Sequence, residues 1–122
     1  MLSKPESSNS IAIIQGYLNA LESNDKNQIL SFFAQSAEII SPTYGRMRAG
    51  EFYTKLCADT ASVVIKIRNI NQTAENSDFV FAHFDYTWKL IDGTIKELEI
   101  LDEFQLNQGK IQMLRIFADG KK

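Results

Sequence analysis

Cysteine is almost missing from this sequence: the 122 residues include one, Cys57, together with one histidine, one tryptophan, two prolines and six glycines. A single thiol makes no internal disulfide, and with a single histidine it is too little for a zinc site built on these residues. No metal and no cofactor is expected. Basic charge shows no surplus, with 13 Lys and Arg against 15 Asp and Glu and a net charge of −2. That balance lacks the electrostatic footprint of a nucleic-acid binder. Uninterrupted apolar runs, such as Ile11–Ile14 and Phe79–Ala82, stop at four residues, far short of a membrane span. The opening stretch Met1–Ser10 carries Lys4, Pro5, Glu6 and a Ser/Asn run in place of a signal peptide's apolar core. The expected compartment is the cytoplasm.

What is present is an ordinary globular composition, 44% hydrophobic and 23% charged, enough for one core and one pocket in a single domain. The sequence predicts a disordered lead-in over 1–9, one domain over 10–118 and a polar tail over 119–122. From Ser10 the apolar residues Ile11, Ile14, Tyr17, Leu18 and Leu21 recur at helical spacing. Ser23-Asn24-Asp25 breaks that helix, and Asp25 with Gln28 resembles a capping box for a second one, with Ile29, Leu30 and Phe33 on its buried edge. Glu38–Ser41 reads as a short strand stopped by Pro42, Thr43–Gly50 as a loop, and Ala49 or Gly50 to Asp59 as a third helix. After Thr60 the period becomes two. Val63–Arg68, Phe79–Leu90, Thr94–Leu106 and Lys110–Phe117 read as strands, with turns at Asp92-Gly93 and Asn107-Gln108-Gly109. The expected fold is α+β, with helices packed on one face of a curved antiparallel sheet.

One carboxylate lies on the wrong face. Along Lys96–Leu106, Leu98, Ile100, Asp102, Phe104 and Leu106 share one side, while Glu97, Glu99 and Glu103 share the other. Buried among apolar neighbours, Asp102 would be paired, hydrated, or protonated with a raised pKa. Either it faces a concave pocket as a functional acid, or a bulge turns it to solvent. Tyr17 sits in the buried stripe of the first helix, where its hydroxyl needs a partner.

From Ser10 onward the chain resembles the NTF2-like superfamily, and within it the SnoaL-like and ketosteroid isomerase-like proteins. The carriers are Ile11-Ala12-Ile13-Ile14-Gln15-Gly16-Tyr17-Leu18-Asn19-Ala20-Leu21, Ala37-Glu38-Ile39-Ile40-Ser41-Pro42, and Leu101-Asp102-Glu103-Phe104-Gln105-Leu106 with Gly109-Lys110-Ile111. The resemblance implies a cone-shaped domain, a homodimer through the outer sheet face, and a pocket for a small apolar molecule. It likens Tyr17 and Asp102 to the oxyanion-hole pair of the isomerases, a neutral aspartic acid being the well-known device of that enzyme. The isomerases' general-base aspartate precedes a proline, and Ser41 before Pro42 stands in that place. A serine hydroxyl cannot take a proton from carbon at a useful rate near neutrality.

His83 and Asp85 are the alternative bases if their face of Phe79–Leu90 points inward. Hydrophobicity favours the opposite face, with Val80, Ala82, Phe84, Tyr86 and Trp88 inside. Ser41, Tyr86, Trp88, Ile100 and Phe104 are the expected pocket walls. Arg46 and Arg48 could meet an anion at the mouth, although Gly45–Gly50 lacks the context of a phosphate loop. Three readings follow: a SnoaL-like binder or isomerase or cyclase-type enzyme acting on a carbonyl or enol ligand; a non-catalytic dimerisation or protein-binding module; and water addition in the manner of this superfamily's epoxide hydrolases, which needs an arginine the sequence does not place.

Overall fold

The computed structural model describes residues 6–73, 75 and 78–120. Helix α1 (Glu6–Ser23) is followed by α2 (Lys26–Leu30), strands β1 (Phe33–Ser41) and β2 (Gly45–Arg48), helix α3 (Ala49–Asp59), and strands β3 (Thr60–Gln72), β4 (Phe79–Leu90), β5 (Ile95–Asn107) and β6 (Lys110–Gly120). Among the described residues the strands form one six-stranded sheet in the order β2-β1-β6-β5-β4-β3. β3 to β6 form the expected antiparallel meander. β6, however, lies parallel to β1, with Ile39 opposite Leu114. The sheet is therefore mixed, which corrects the all-antiparallel expectation.

Local chemistry accounts for most boundaries. The Asp25 side chain accepts from the Gln28 N–H at 3.2 Å and caps α2, the expected half of a capping box. The turn between β5 and β6 places Gln108 at φ 52 and Gly109 at φ 79, the pair of positive φ values that a tight type I′ hairpin requires. Gly93, at φ 94, takes the left-handed position of the longer β4–β5 turn, which the Leu90 N–H closes by donating to the Thr94 carbonyl at 2.8 Å.

Other expectations fail at their edges. The helix begins at Glu6, ahead of the expected start at Ser10, and residues 1–5 lie outside the described ones. Phe33 is not on α2; it opens β1. The stretch expected as a loop contains β2, which pairs with β1 from Glu38↔Arg48 to Ser41↔Gly45. β6 runs through Asp119 and Gly120, the first half of the expected tail, and residues 121–122 lie outside the described ones.

The core lies between the helices and the concave sheet face. Ile14, Tyr17, Leu18 and Leu21 of α1, Phe52, Tyr53 and Leu56 of α3, and Val80, Ala82, Phe84, Tyr86 and Trp88 of β4 are all buried. Shifts in register between Thr60 and Ser62, and between Ile67 and Asn69, interrupt the alternation of β3 and leave Ile67 36% exposed. Such bulges bend a strand. β3 ends the sheet, and the Glu22 carboxylate covers one of its edge amides by accepting from the Ile65 N–H at 2.9 Å. Ile39 and Leu114 are both fully buried at the parallel seam. Leu114→Ala is expected to lower the urea-unfolding free energy by about 2–5 kcal/mol, the usual cost of a large-to-small change in a packed core.

Candidate functional site

Asp102 points inward. The β4–β5 ladder runs unbroken from Phe79↔Gln105 to Lys89↔Ile95, and the β5–β6 register shifts only between Gln105 and Leu106. No bulge therefore turns position 102 to solvent. Asp102 is 2% exposed, directly opposite Ala82 on β4 and Ile116 on β6. Its Oδ1 has no hydrogen-bond partner among the described residues. Burial alone pushes its carboxyl well above the ordinary carboxylate range, because low-dielectric surroundings disfavour the charged form.

Tyr17 meets Asp102 in the wall of one cavity of about 60 Å³. Its ring is held edge-on by Phe33 and Phe104, each with centroids 5.5 Å away. Its hydroxyl shares a 2.5 Å hydrogen bond with the Tyr53 hydroxyl. Burial, followed by the neighbouring Tyr53 and Asp102, raises the Tyr17 pKa. Burial also raises that of Tyr53. Tyr53 is a site residue that sequence reasoning missed; the available signal was a tyrosine in a buried helical stripe, whose hydroxyl must be satisfied somewhere.

Of the residues expected as pocket walls, Ser41, Tyr86, Trp88 and Ile100 line the cavity and Phe104 does not. Phe104 is fully buried behind Tyr17 and belongs to the core. Ser41 Oγ accepts from the Tyr44 N–H at 2.9 Å, fixing the turn after β1. Tyr44 in turn donates to Asp59 Oδ2 at 2.7 Å. The Trp88 Nε1–H donates to Thr60 Oγ1 at 2.8 Å, and that hydroxyl donates to the Leu56 carbonyl at 2.6 Å. The indole is thus held against the end of α3.

The alternative bases are elsewhere. His83 and Asp85 occupy the outer sheet face, where His83 Nε2 lies 2.6 Å from Glu99 Oε2 and Arg68 holds Asp85 at 2.9 Å. Neither lines the cavity, so the imidazole and carboxylate offered as bases cannot reach a ligand there. Arg46 pairs with Glu38 at 2.9 Å on the surface, and neither Arg46 nor Arg48 lines the cavity. Its described wall holds one carboxyl group and no Lys, Arg or His. Water addition by a carboxylate–arginine pair has no arginine here. Among the described residues no group of His, Cys, Asp and Glu is placed to hold a metal ion, and no helix is long and apolar enough to cross a membrane.

This arrangement of one bent, mixed sheet and three helices recurs in solved structures. SalBIII, an epoxide hydrolase/cyclase-like enzyme with a role in pyran ring formation in the polyether salinomycin, matches with a TM-score of 0.80 at 18% identity, over 92% of either chain. An epoxide hydrolase of LEH-like type from M. tuberculosis matches at 0.78 and 18% identity, over 94% of this chain and 86% of its own. An NTF2-like protein of unknown function from Burkholderia pseudomallei matches at 0.76 and 11% identity, over 91% of each. The chain has the NTF2-like fold. At these identities the likeness is one of architecture, and this scaffold hosts many unrelated functions. No protein-family model matches the sequence, and neither does any curated protein.

The buried carboxyl has a consequence for stability. Its folded-state pKa is raised, so between about pH 4, where a free aspartate titrates, and that raised value the folded state binds the extra proton. Stability should then fall as pH rises through this window, by about 1.4 kcal/mol per pH unit from this group. Asp102→Asn should abolish that slope and exceed the wild type in stability near neutrality. Urea unfolding at a series of pH values measures both.

Proposed function

We propose that the protein binds a compact, mainly apolar molecule through a carbonyl or enol oxygen, which accepts hydrogen bonds from the neutral Asp102 carboxyl and the Tyr17 hydroxyl. Asp102 carries this reading: it is a buried acid with an unpartnered oxygen in a cavity wall without a basic group. A carboxyl kept protonated is a hydrogen-bond donor. The Tyr17–Tyr53 hydrogen bond can run in either direction; in this reading Tyr53 donates and the Tyr17 proton turns to the ligand.

Two donors converging on one oxygen stabilise negative charge as it develops there, which is the electrostatic part of isomerase or cyclase-type catalysis. Asp102 is the one carboxyl group in the described wall, and its neutral form takes no proton from carbon; no imidazole lines the cavity. The described site therefore supports oxygen binding and electrophilic assistance, and steroid isomerisation has neither its base nor its space. A cavity of about 60 Å³ has room for roughly four waters, which suits a ligand of a few non-hydrogen atoms.

Trp88, the only tryptophan, lines the cavity and reports on binding by its fluorescence. A small ketone such as butanone should quench or shift that emission saturably. Asp102→Leu and Tyr17→Phe should each weaken binding about tenfold or more, the effect of losing one good hydrogen bond. Affinity should decline as pH rises through the folded-state pKa of Asp102, because the ionised form cannot donate. Unchanged affinity in both variants, with native circular dichroism, would sink the proposal.

A second copy of the chain is the proposed partner for the outer sheet face. Leu101 and Phe117 stand directly opposite each other on β5 and β6 and are 41% and 54% exposed, an adjacent apolar pair beside the Arg68, His83, Asp85 and Glu99 network. Phe117→Asp should shift sedimentation toward monomer while leaving ketone binding in place. The purely non-catalytic module reading instead requires that ketone binding be absent.

A further inference from the structure

A buried carboxyl without a partner avoids uncompensated charge in one of two ways: it keeps its proton, or it meets a cation. The wall around Asp102 offers no cation of its own, and it is rich in rings: Tyr17, Tyr44, Phe52, Phe84, Tyr86 and Trp88 all line the cavity. We propose that this cavity also binds a compact alkylammonium cation of the size of trimethylammonium, with Asp102 ionised as its counter-charge. The cation's N–H donates to Asp102 Oδ1, the buried oxygen that has no partner. Its methyl groups, which share the positive charge, rest against aromatic rings, an attraction that strengthens where water is excluded. Rings of this wall already attract cations from outside it: the Lys55 and Lys96 ammonium groups lie 5.6 Å from the ring centroids of Tyr44 and Trp88. Neither lysine lines the cavity.

The volume of about 60 Å³ sets the size class: four or five non-hydrogen atoms, about four waters' worth of space. The inference uses the same cavity as the ketone reading with Asp102 in the opposite protonation state. Binding breaks the Asp102 O–H bond and delivers that proton to solvent, while the ligand's N–H takes its place at the carboxylate. No covalent bond to the ligand forms.

The groups that face Asp102 electrostatically are the phenols of Tyr17 on α1, Tyr53 on α3 and Tyr86 on β4. All three are raised above the ordinary phenol range and stay neutral near pH 7. β6 places Ile116 opposite it. No other titration in the cavity wall therefore competes with that of Asp102.

The test is a titration with trimethylammonium chloride from about pH 5 to about pH 8, a range in which an alkylamine stays protonated. It is followed by Trp88 fluorescence and by calorimetry in two buffers of different ionisation enthalpy. Below the folded-state pKa of Asp102 the affinity should tighten about tenfold per pH unit, with about one proton released per cation bound. tert-Butanol, neutral and of similar shape, should show no such tightening. Asp102→Asn should lose the cation by tenfold or more yet keep butanone, since the amide still donates. If that variant does not fold, the wild-type pH series and proton count decide alone. Affinity independent of pH, or binding without proton release, overturns the inference. Ketone binding without cation binding overturns it and leaves the oxygen reading standing, whereas absence of both removes the cavity as a ligand site.

Discussion

Everything distinctive about this molecule follows from side-chain parity on β5. Because side chains alternate along an extended strand, an unbroken ladder on the β4 side fixes Asp102 on the same face as Ile100 and Phe104. A one-residue slip would send the carboxyl out and Leu101 in. The fold tolerates an acid here because its neutral form is far cheaper to bury than its charged form. The rest of the core makes up the remaining deficit. Ala82, the smallest of the inward residues of β4, stands opposite Asp102, where a larger neighbour would crowd the carboxyl.

Around that one acid, hydroxyl groups set the geometry. Tyr53 holds Tyr17, Thr60 holds Trp88, and Ser41 holds the backbone of Tyr44. α3 links these supports. It supplies Tyr53 and the Leu56 carbonyl that orients Thr60, while its last residue, Asp59, receives the Tyr44 hydroxyl. The wall is thus built on helices and strands fixed by packing and second-layer hydrogen bonds, the condition under which weakly polar sites hold a defined shape.

Sequence patterning revealed what is local. The stripe of α1, the cap of α2, the Gly93 and Gly109 turns and the inward face of β4 each rest on contacts within a few residues, and the structure has them. The inward aspartate was legible too, because an alternating strand makes a polar exception conspicuous. What stayed hidden was long-range. Nothing near Lys110–Phe117 signals a parallel partner on β1, and the four residues of β2 are too short and polar to stand out from a loop. Phe33 sits at helical spacing from Ile29, so its place in β1 depends on the sheet and not on its neighbours. Phe104 and Tyr86 share an inward parity, and only the packing of Tyr17 decides that one lies behind the wall and the other in it.

The seating of β6 between β1 and β5 constrains how this protein comes into being. Of the six described strands, the one that joins the two halves of the sheet is synthesised last, so until it arrives both flanking strands have bare hydrogen-bonding edges. Those edges are natural templates for a neighbouring nascent chain. The long loop closure between β1 and its late-arriving partner also raises contact order and slows folding. Premature termination before residue 110 would accordingly produce an aggregation-prone fragment, not a smaller version of the same domain.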